Sequence, residues 1–451
     1  MSILKHISPQ GRRLSLPTLC LLLGLFSLGS WLVSFMAESH GPYEQILANL
    51  GLVVMLSCAY LYIRKLEAPA LNIHLCTPLL ILCSIGTPVI LQTDPFRYVW
   101  DGLHSLQGID PYRFAPQDSP LFSHISWAKH INHPHLPTIY PPAAQLFFHA
   151  SCYLNPWPLQ ADLNSWQVMF GWKMMVGFAA ALLIYSLRHR RWDLVLLHPL
   201  FLLTVLGNAH IDSLLIAALG VYLSMQKQLH NPVPKVFSLS IAILIKWLPL
   251  LYLPGHFIYL KHQRSLRKAI IPCFLLLALV ILPTVFHALK EDSHFFHSLG
   301  VYAEHWMFFP FLFYVLNNIF ILGGASKHIF LAKLTALLSG CLMGAFLTLR
   351  YWQTRISLRL YLLLISLCAF ALSPTLHPWY LLTILPLGLP YFRVLKTPWV
   401  WPMLSLLSQS YYLENRENQL IRWGVYGIVT LCIAIDVKRL NKKLGFKRAL
   451  Q

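Results

Sequence analysis

The chain has 451 residues, of which 57% are hydrophobic and only 11% are charged. Soluble globular proteins are about half apolar and about one-quarter charged, so this composition excludes most water-soluble enzymes and disordered chains. The formal charge of +19 comes from 35 Lys and Arg against 16 Asp and Glu. These bases stand in short clusters between apolar segments, which indicates membrane topology rather than nucleic-acid binding. We therefore expect an all-α polytopic membrane protein.

Apolar segments long enough to cross a bilayer begin near the amino terminus. The first follows Lys5, Arg12 and Arg13 and is longer than a signal-peptide core, so we expect it to be a retained span. The segments of span length are 16–36, 45–63, 73–92, 167–187, 269–288, 330–349, 358–373 and 421–436. Shorter segments, typical of helices that end beside a water-filled cavity, lie at 193–207, 211–226, 378–392 and 398–413.

The Lys and Arg clusters orient these segments because short cytoplasmic loops are enriched in both residues. Placing every cluster inside predicts about 12–14 transmembrane helices, both termini in the cytoplasm, and large outer loops at 93–166 and 289–329. The apolar pieces 141–154 and 307–322 then become interfacial helices. A helix pair broken near Lys246 satisfies the same rule. On this topology, all acidic residues except Glu67, Asp193 and Asp436 fall outside.

This topology divides the chain into five regions. They are the amino-terminal spans (1–92), the first outer loop (93–166), central short or broken spans (167–288), the second outer loop (289–329), and carboxy-terminal spans with a basic tail (330–451). The nine cysteines show no disulfide or metal-site spacing, since eight of them lie within apolar segments.

The first outer loop opens with DPFRYVWDG at residues 94–102. In a helix, Asp94, Tyr98 and Asp101 share one face, with Arg97 beside them. The remaining residues form an apolar stripe, so we expect a helix on the membrane surface that directs two carboxylates to water. Asp94 before Pro95 also fits a helix N-cap, and this alternative stays open.

Two further motifs follow in the same loop. Residues 108–116, GIDPYRFAP, predict a turn in which Asp110 is structural. Residues 131–145, INHPHLPTIYPPAAQ, predict a rigid, non-helical approach of Tyr140 to the membrane. His133 and His135 could ligate a metal there, but histidines that alternate with prolines are more typical of a surface loop.

Ionisable residues also occur at the ends of, or within, later apolar segments. GNAHIDS at 207–213 places His210 and Asp212 between two short spans, on the outer side. Lys173 and Lys246 lie in otherwise apolar helices, where a charged group usually faces a cavity or a partner. The alternative is a Lys side chain that extends to the membrane interface, which fits Lys173 better than Lys246. SPTLHPWYLL at 373–382 presents His377, Trp379 and Tyr380 at an outer span end, although an aromatic belt would also explain its Trp and Tyr.

Taken in order, these motifs resemble the GT-C superfamily of membrane glycosyltransferases that use polyprenyl-phosphate sugars, most closely its bacterial mannosyltransferase-like branch. The resemblance covers roughly residues 90–385. It rests on DPFRYVWDG, the G-x-D-P-Y of 108–112, YPPAAQ at 140–145, His210 with Asp212, Lys246 in IKWLP, and HPWY at 377–380.

The resemblance implies a GT-C-like bundle and an inverting transferase whose active site faces away from the cytoplasm. It implies that a sugar, a hexose such as mannose, moves from a polyprenyl-phosphate donor to a lipid or glycan acceptor, in the bacterial inner membrane and on its periplasmic side. The general base falls on Asp94, and Asp101 matches a second acidic position. The expected substrate-binding residues are Arg97, Tyr98, Tyr140, His210, Asp212, Lys246, His377, Trp379 and Tyr380. No metal ligand is assigned, and a divalent cation as cofactor is left open.

Transfer of a sugar to a hydroxyl group requires the same residue types. A sugar hydroxyl is too weak an acid to attack at neutral pH, so a positioned carboxylate must take its proton. The departing lipid phosphate needs positive charge, for which Lys246 and Arg97 are candidates. Trp379, Tyr380 and Trp306 are candidates for stacking on sugar rings. A polytopic transporter and a periplasmic glycan polymerase or ligase are the alternatives.

Overall fold

The computed structural model describes residues 14–39, 42–66, 73–90, 93–188, 190–225, 233–263, 266–290, 292–353, 356–410 and 419–444. Within these ranges the chain forms nineteen α-helices and no strand. The described residues do not include the predicted basic cluster of Lys5, Arg12 and Arg13. They also do not include Glu67 or the last seven residues of the basic tail. The helices are α1 (Leu16–Ser39), α2 (Pro42–Ile63), α3 (Ile73–Gly86), α4 (Asp94–Leu106), α5 (Pro142–Tyr153), α6 (Ser165–Ser186), α7 (Asp193–Leu196), α8 (Pro199–Phe201), α9 (Asp212–Ser224), α10 (Val233–Ile245), α11 (Leu253–Gln263), α12 (Leu266–Ala288), α13 (His297–His305), α14 (Leu312–Leu322), α15 (His328–Trp352), α16 (Leu358–Leu372), α17 (Ile384–Gly388), α18 (Thr397–Ser405) and α19 (Gln419–Leu444).

Five of these helices are long and apolar enough to cross a membrane: α1, α2, α6, α15 and α19. A sixth candidate is a pair bent by 117°, in which α8 continues as a π-helix to Gly207 and α9 follows. Five shorter apolar helices of 10–17 residues accompany them, in α3, α10, α12, α14 and α16. The protein is therefore an all-α polytopic membrane protein, as its composition predicts.

The remaining predicted segments are short or broken helices. Residues 378–392 form two 3₁₀ turns around α17, and residues 398–410 divide between α18 and a 3₁₀ turn. The helix break predicted near Lys246 is confirmed, because α10 ends at Ile245 and a 3₁₀ turn, Leu248–Tyr252, leads into α11. Pro249 lies in this turn, where its missing N–H costs no helical hydrogen bond.

Helix α4 is a core helix, so the prediction that it lies on the membrane surface with one face exposed to water is wrong. All ten residues from Pro95 to His104 are buried. α4 approaches α5 so closely at Gly102 that a Cβ there would lie 2.3 Å from the Phe148 carbonyl oxygen. α5 meets α6 in the same way at Gly171, where a Cβ would lie 2.1 Å from the Ser151 oxygen. These glycines let three backbones pack together and enclose the polar face of α4.

The two predicted outer loops meet at one end of the bundle. Lys290 pairs with Asp110 at 2.7 Å, and Arg113 pairs with Asp292 at 2.8 Å. Asp110 also accepts a hydrogen bond from the Tyr112 backbone N–H at 3.0 Å, which confirms its structural role in a turn. The loop regions 93–166 and 289–329 therefore form one layer.

Predicted cytoplasmic clusters gather at the opposite end of α6. Arg191, which follows α6, donates to the Leu66 carbonyl at 2.9 Å. Arg64 donates to the Phe392 carbonyl and Arg439 to the Val394 carbonyl, each at 2.9 Å. Because α6 begins beside the first outer loop, these bases and the outer-loop layer lie at opposite ends of one span.

Candidate functional site

A cavity of about 420 Å³ lies where the outer-loop layer meets the broken helices. Eight of the eleven predicted site residues line it: Asp94, Arg97, Tyr140, His210, Lys246, His377, Trp379 and Tyr380. The other three, Tyr98, Asp101 and Asp212, are almost completely buried and lie next to the residues that line the cavity. Motifs that are far apart in the sequence thus form one site.

Asp94 is the first residue of α4, and its carboxylate faces the cavity with 23% of the side chain exposed. Its Oδ1 accepts a hydrogen bond from the Asn132 amide, and its Oδ2 lies 3.2 Å from His210 Nε2. The N-cap residue of α4 is Thr93, so Asp94 is not the cap that its sequence position also allowed. Burial alone would raise the pKa of Asp94, but the hydrogen bonds from His210 and Asn132 outweigh it and hold that pKa below its usual value.

A chain of polar contacts runs from Asp94 through His210 and Asp212 to Lys246. The second ring nitrogen of His210, Nδ1, lies 2.8 Å from an oxygen of Asp212. The Lys246 ammonium lies 2.8 and 3.0 Å from the two oxygens of the same carboxylate. Asp212 is fully buried, whereas Lys246 remains one-quarter exposed to the cavity. His210 and Asp212 therefore fix the distance between an accessible carboxylate and an accessible cation.

Two side chains of α6 donate hydrogen bonds to the turn that carries His210. The Lys173 ammonium donates to the carbonyls of Gly207 at 2.7 Å and of Ser84 at 3.1 Å, where two helices end. Trp172 donates to the Ala209 carbonyl at 2.6 Å. Ala209 has a φ of 50°, a conformation that non-glycine residues rarely adopt. Lys173, which the sequence predicted to face a cavity or a partner, thus has backbone carbonyls as its partners.

We expect Lys173→Met to destabilise the protein by about 2–4 kcal/mol, because it leaves buried carbonyls without a donor. Thermal unfolding of the purified protein in detergent measures the change. Lys333→Met is the matched control, since Lys333 also donates to two carbonyls, of Ala303 and Glu304, but in an exposed position. Equal losses of stability in the two variants would contradict the role of Lys173.

Asp101 does not reach the cavity, although it was predicted as a second catalytic carboxylate. Its side chain is 1% exposed and accepts a hydrogen bond from Arg97 Nε at 2.8 Å. Gln145 approaches its other oxygen at 3.4 Å and donates to Thr138 at 2.8 Å. Asp101 therefore orients Arg97, which borders the cavity, and cannot itself contact a bound molecule.

Four rings form a continuous stack along one wall. The ring of His377 lies between Phe308 at 4.5 Å and Trp379 at 4.4 Å, and His210 packs on Trp379 at 4.6 Å. Two imidazole rings therefore pack on the Trp379 indole, which leaves less of that ring system free for the sugar-stacking role predicted for it. Burial lowers the pKa of His377 to about 3, so this ring is neutral at physiological pH.

An apolar groove of about 1100 Å³ lies next to the cavity. It runs along α15 and α16, with Leu250, Leu337 and Ile365 among its lining residues. Tyr302 and Tyr380 line both the groove and the cavity, and their hydroxyl oxygens lie 2.5 Å apart. The Lys246 ammonium stands 4.0 Å from the centre of the Tyr380 ring. A cation thus lies at the junction of a polar and an apolar space.

Several lining residues were not predicted from the sequence, among them Asn132, Tyr302 and Phe308. Asn132 lies within the 131–145 segment, in which the prediction considered only the histidines and Tyr140. Phe308 is aligned by backbone hydrogen bonds to the HPWY segment: its N–H donates to the Pro374 carbonyl at 3.2 Å, and its carbonyl accepts from Leu376 at 2.7 Å. Trp306, a predicted stacking residue, also lines the cavity and stacks on Tyr302 at 5.5 Å.

Within the described residues, no group of three or more His, Cys, Asp or Glu side chains is arranged to hold a metal ion. His133 and His135 approach each other with ring centres 6.1 Å apart, and His133 packs on Trp306. Comparisons with protein-family models, curated proteins and solved structures give no match to this chain. Function must therefore be argued from the site itself.

Proposed function

We propose that this protein is an integral membrane glycosyltransferase that moves a single sugar from a polyprenyl-phosphate donor to a lipid or glycan acceptor with inversion. We assign the general base to Asp94 and the phosphate-binding cation to Lys246. The transferred unit is a hexose such as mannose, and we infer that the reaction takes place on the periplasmic side of a bacterial inner membrane. The basic residues Arg64, Arg191 and Arg439 at the opposite end of α6 support this orientation, because cytoplasmic loops are enriched in Lys and Arg.

One observation carries the proposal: a polar cavity with a carboxylate and a cation adjoins a large apolar groove. A donor made of a long hydrocarbon tail and a charged sugar phosphate needs both environments at once. The tail gains from contact with the groove, while the headgroup needs hydrogen-bond partners and positive charge. Lys246 lies at the junction, where the phosphate of such a donor would pass from one environment to the other.

Asp94 can act as the base because Asn132 and His210 orient its carboxylate while 23% of the side chain stays exposed to the cavity. It would take the hydroxyl proton of the acceptor as the oxygen attacks the anomeric carbon of the donor. The bond from that carbon to the phosphate oxygen breaks on the opposite side, and its electron pair stays with the lipid phosphate. The Lys246 ammonium has three N–H donors, and its two hydrogen bonds to Asp212 leave one donor for the phosphate.

The proposal is tested by incubating the purified protein in lipid nanodiscs with a panel of radiolabelled polyprenyl-phosphate hexoses and extracted membrane glycans. Sugar transfer with inverted anomeric configuration supports the proposal. Uptake of a solute into proteoliposomes without any transfer would favour the transporter instead. Transfer of whole glycan blocks from lipid diphosphates would favour the polymerase or ligase.

The pH dependence of transfer gives a further prediction. Because the pKa of Asp94 is lowered, its carboxylate stays ionised as the pH falls through the usual range of an aspartate, and activity persists there. Burial, the largest influence on this group, raises the pKa, so removal of a lowering hydrogen bond in Asn132→Ala should move the acid limb of the rate profile to higher pH. Identical acid limbs for the wild type and Asn132→Ala would contradict this account.

A further inference from the structure

One terminal nitrogen of Arg97 has no hydrogen-bond partner among the described residues. Arg97 is 6% exposed and borders the cavity. Its Nε donates to Asp101, and its Nη2 is buried without a hydrogen-bond partner among the described residues. A buried guanidinium nitrogen without a hydrogen-bond partner is costly, because the hydration that it loses is not replaced. Since Arg97 lines the cavity, a bound ligand toward which the guanidinium turns can complete its hydrogen bonds.

Arg97 and Lys246 serve different parts of the cavity. Lys246 packs on Tyr380, a residue that also lines the groove. Arg97 belongs to α4, and none of the described groove-lining residues comes from that helix. It lies three residues after Asp94, on the wall formed by the first outer loop. The donor phosphate needs the cation next to the groove, so Arg97 remains for the other substrate.

We propose that Arg97 binds an oxyanion on the acceptor, a carboxylate or phosphate close to the hydroxyl that Asp94 deprotonates. This inference rests on the proposed function. A guanidinium has only donors, and its forked geometry matches two oxygens of an anionic group better than one neutral hydroxyl. Side chains three residues apart on a helix have Cβ atoms about 5–6 Å apart. The oxyanion and the reactive hydroxyl therefore belong to the same or the adjacent unit of the acceptor.

Three acceptor probes with one alkyl chain test this inference: octyl glucoside, octyl glucuronide and octyl glucoside 6-phosphate. Each is supplied below its micellar concentration, with the donor that supports turnover. In the wild type, kcat/KM for at least one acidic probe should exceed that for octyl glucoside by about 10-fold or more. The two acidic probes distinguish a carboxylate from a phosphate.

The test variant is Arg97→Gln/Asp101→Asn, which removes both members of the buried ion pair and leaves no isolated charge. We expect its acidic-to-neutral ratio to fall to about 1, while Arg97→Lys keeps part of the preference. Arg113→Gln, in the same loop but exposed, should keep the full wild-type ratio. Equal rates for all probes in the wild type would overturn the inference. So would an intact ratio with a raised donor KM in the double variant, since Arg97 would then bind the donor.

Binding separates this inference from the proposed function. If the wild type transfers sugar from no donor, the proposed function fails, but titration calorimetry with octyl glucuronide and octyl glucoside still tests the Arg97 site. Tighter binding of the acidic probe in the wild type, lost in the double variant, supports the site. Equal binding of the two probes overturns it.

Discussion

Replacing Asp94 with asparagine is expected to lower the turnover number for sugar transfer about 10²–10⁴-fold, the range that a general base contributes. The amide has the shape of the carboxylate and can still accept the hydrogen bond from Asn132, so the protein should fold. Initial rates with the labelled donor, at saturating acceptor, measure the effect. The KM of the donor should change little, because Asp94 acts on the acceptor hydroxyl.

Asp118→Asn is the matched control, since Asp118 is an exposed carboxylate in the same outer loop. It should retain wild-type turnover. Undiminished transfer by Asp94→Asn, in protein whose thermal unfolding matches the wild type, would remove Asp94 as the base and with it the proposed mechanism.

Replacing Lys246 with methionine should lower turnover about 10²–10³-fold, because the charge that develops on the departing phosphate loses its stabilising cation. The change also leaves the Asp212 carboxylate buried without its ammonium partner. Breaking a buried ion pair costs about 3–5 kcal/mol, and less here because Lys246 is 25% exposed. Thermal unfolding and transfer rates are therefore measured together.

The double variant Lys246→Met/Asp212→Asn separates the two effects. It removes the isolated carboxylate, so most of the lost stability should return, whereas the lost turnover should not. Recovery of both quantities together would mean that Lys246 acts only as a structural partner of Asp212.

The sequence predicts the membrane class and the longest helices because a bilayer imposes a minimum length of apolar chain. It also predicts the break at Lys246, where a charged residue and Pro249 interrupt an apolar segment. The His210, Lys246 and HPWY motifs are each weak signals alone, and the prediction of a site rests on their order along a chain with many spans. Their arrangement in one cavity depends on tertiary contacts that no local pattern contains.

Other features could not be inferred from the sequence for identifiable reasons. The amphipathic pattern of α4 suggests a surface helix, but Arg97 and Gln145 donate hydrogen bonds to Asp101 within the core, so this carboxylate needs no water. The role of Asn132 depends on a loop that continues through His133, whose φ is 46°. Tyr302 reaches the site from the second outer loop, and its neighbours in the sequence give no sign of a partner in HPWY.

The boundary between the groove and the cavity consists, at Tyr302 and Tyr380, of two phenol side chains joined through their hydroxyl groups. Such a contact can open by side-chain rotation, without displacing any helix. If the proposed function holds, spent carrier lipid would exchange for a loaded one sideways from the bilayer, while the Asp94–His210–Asp212–Lys246 framework stays assembled between turnovers.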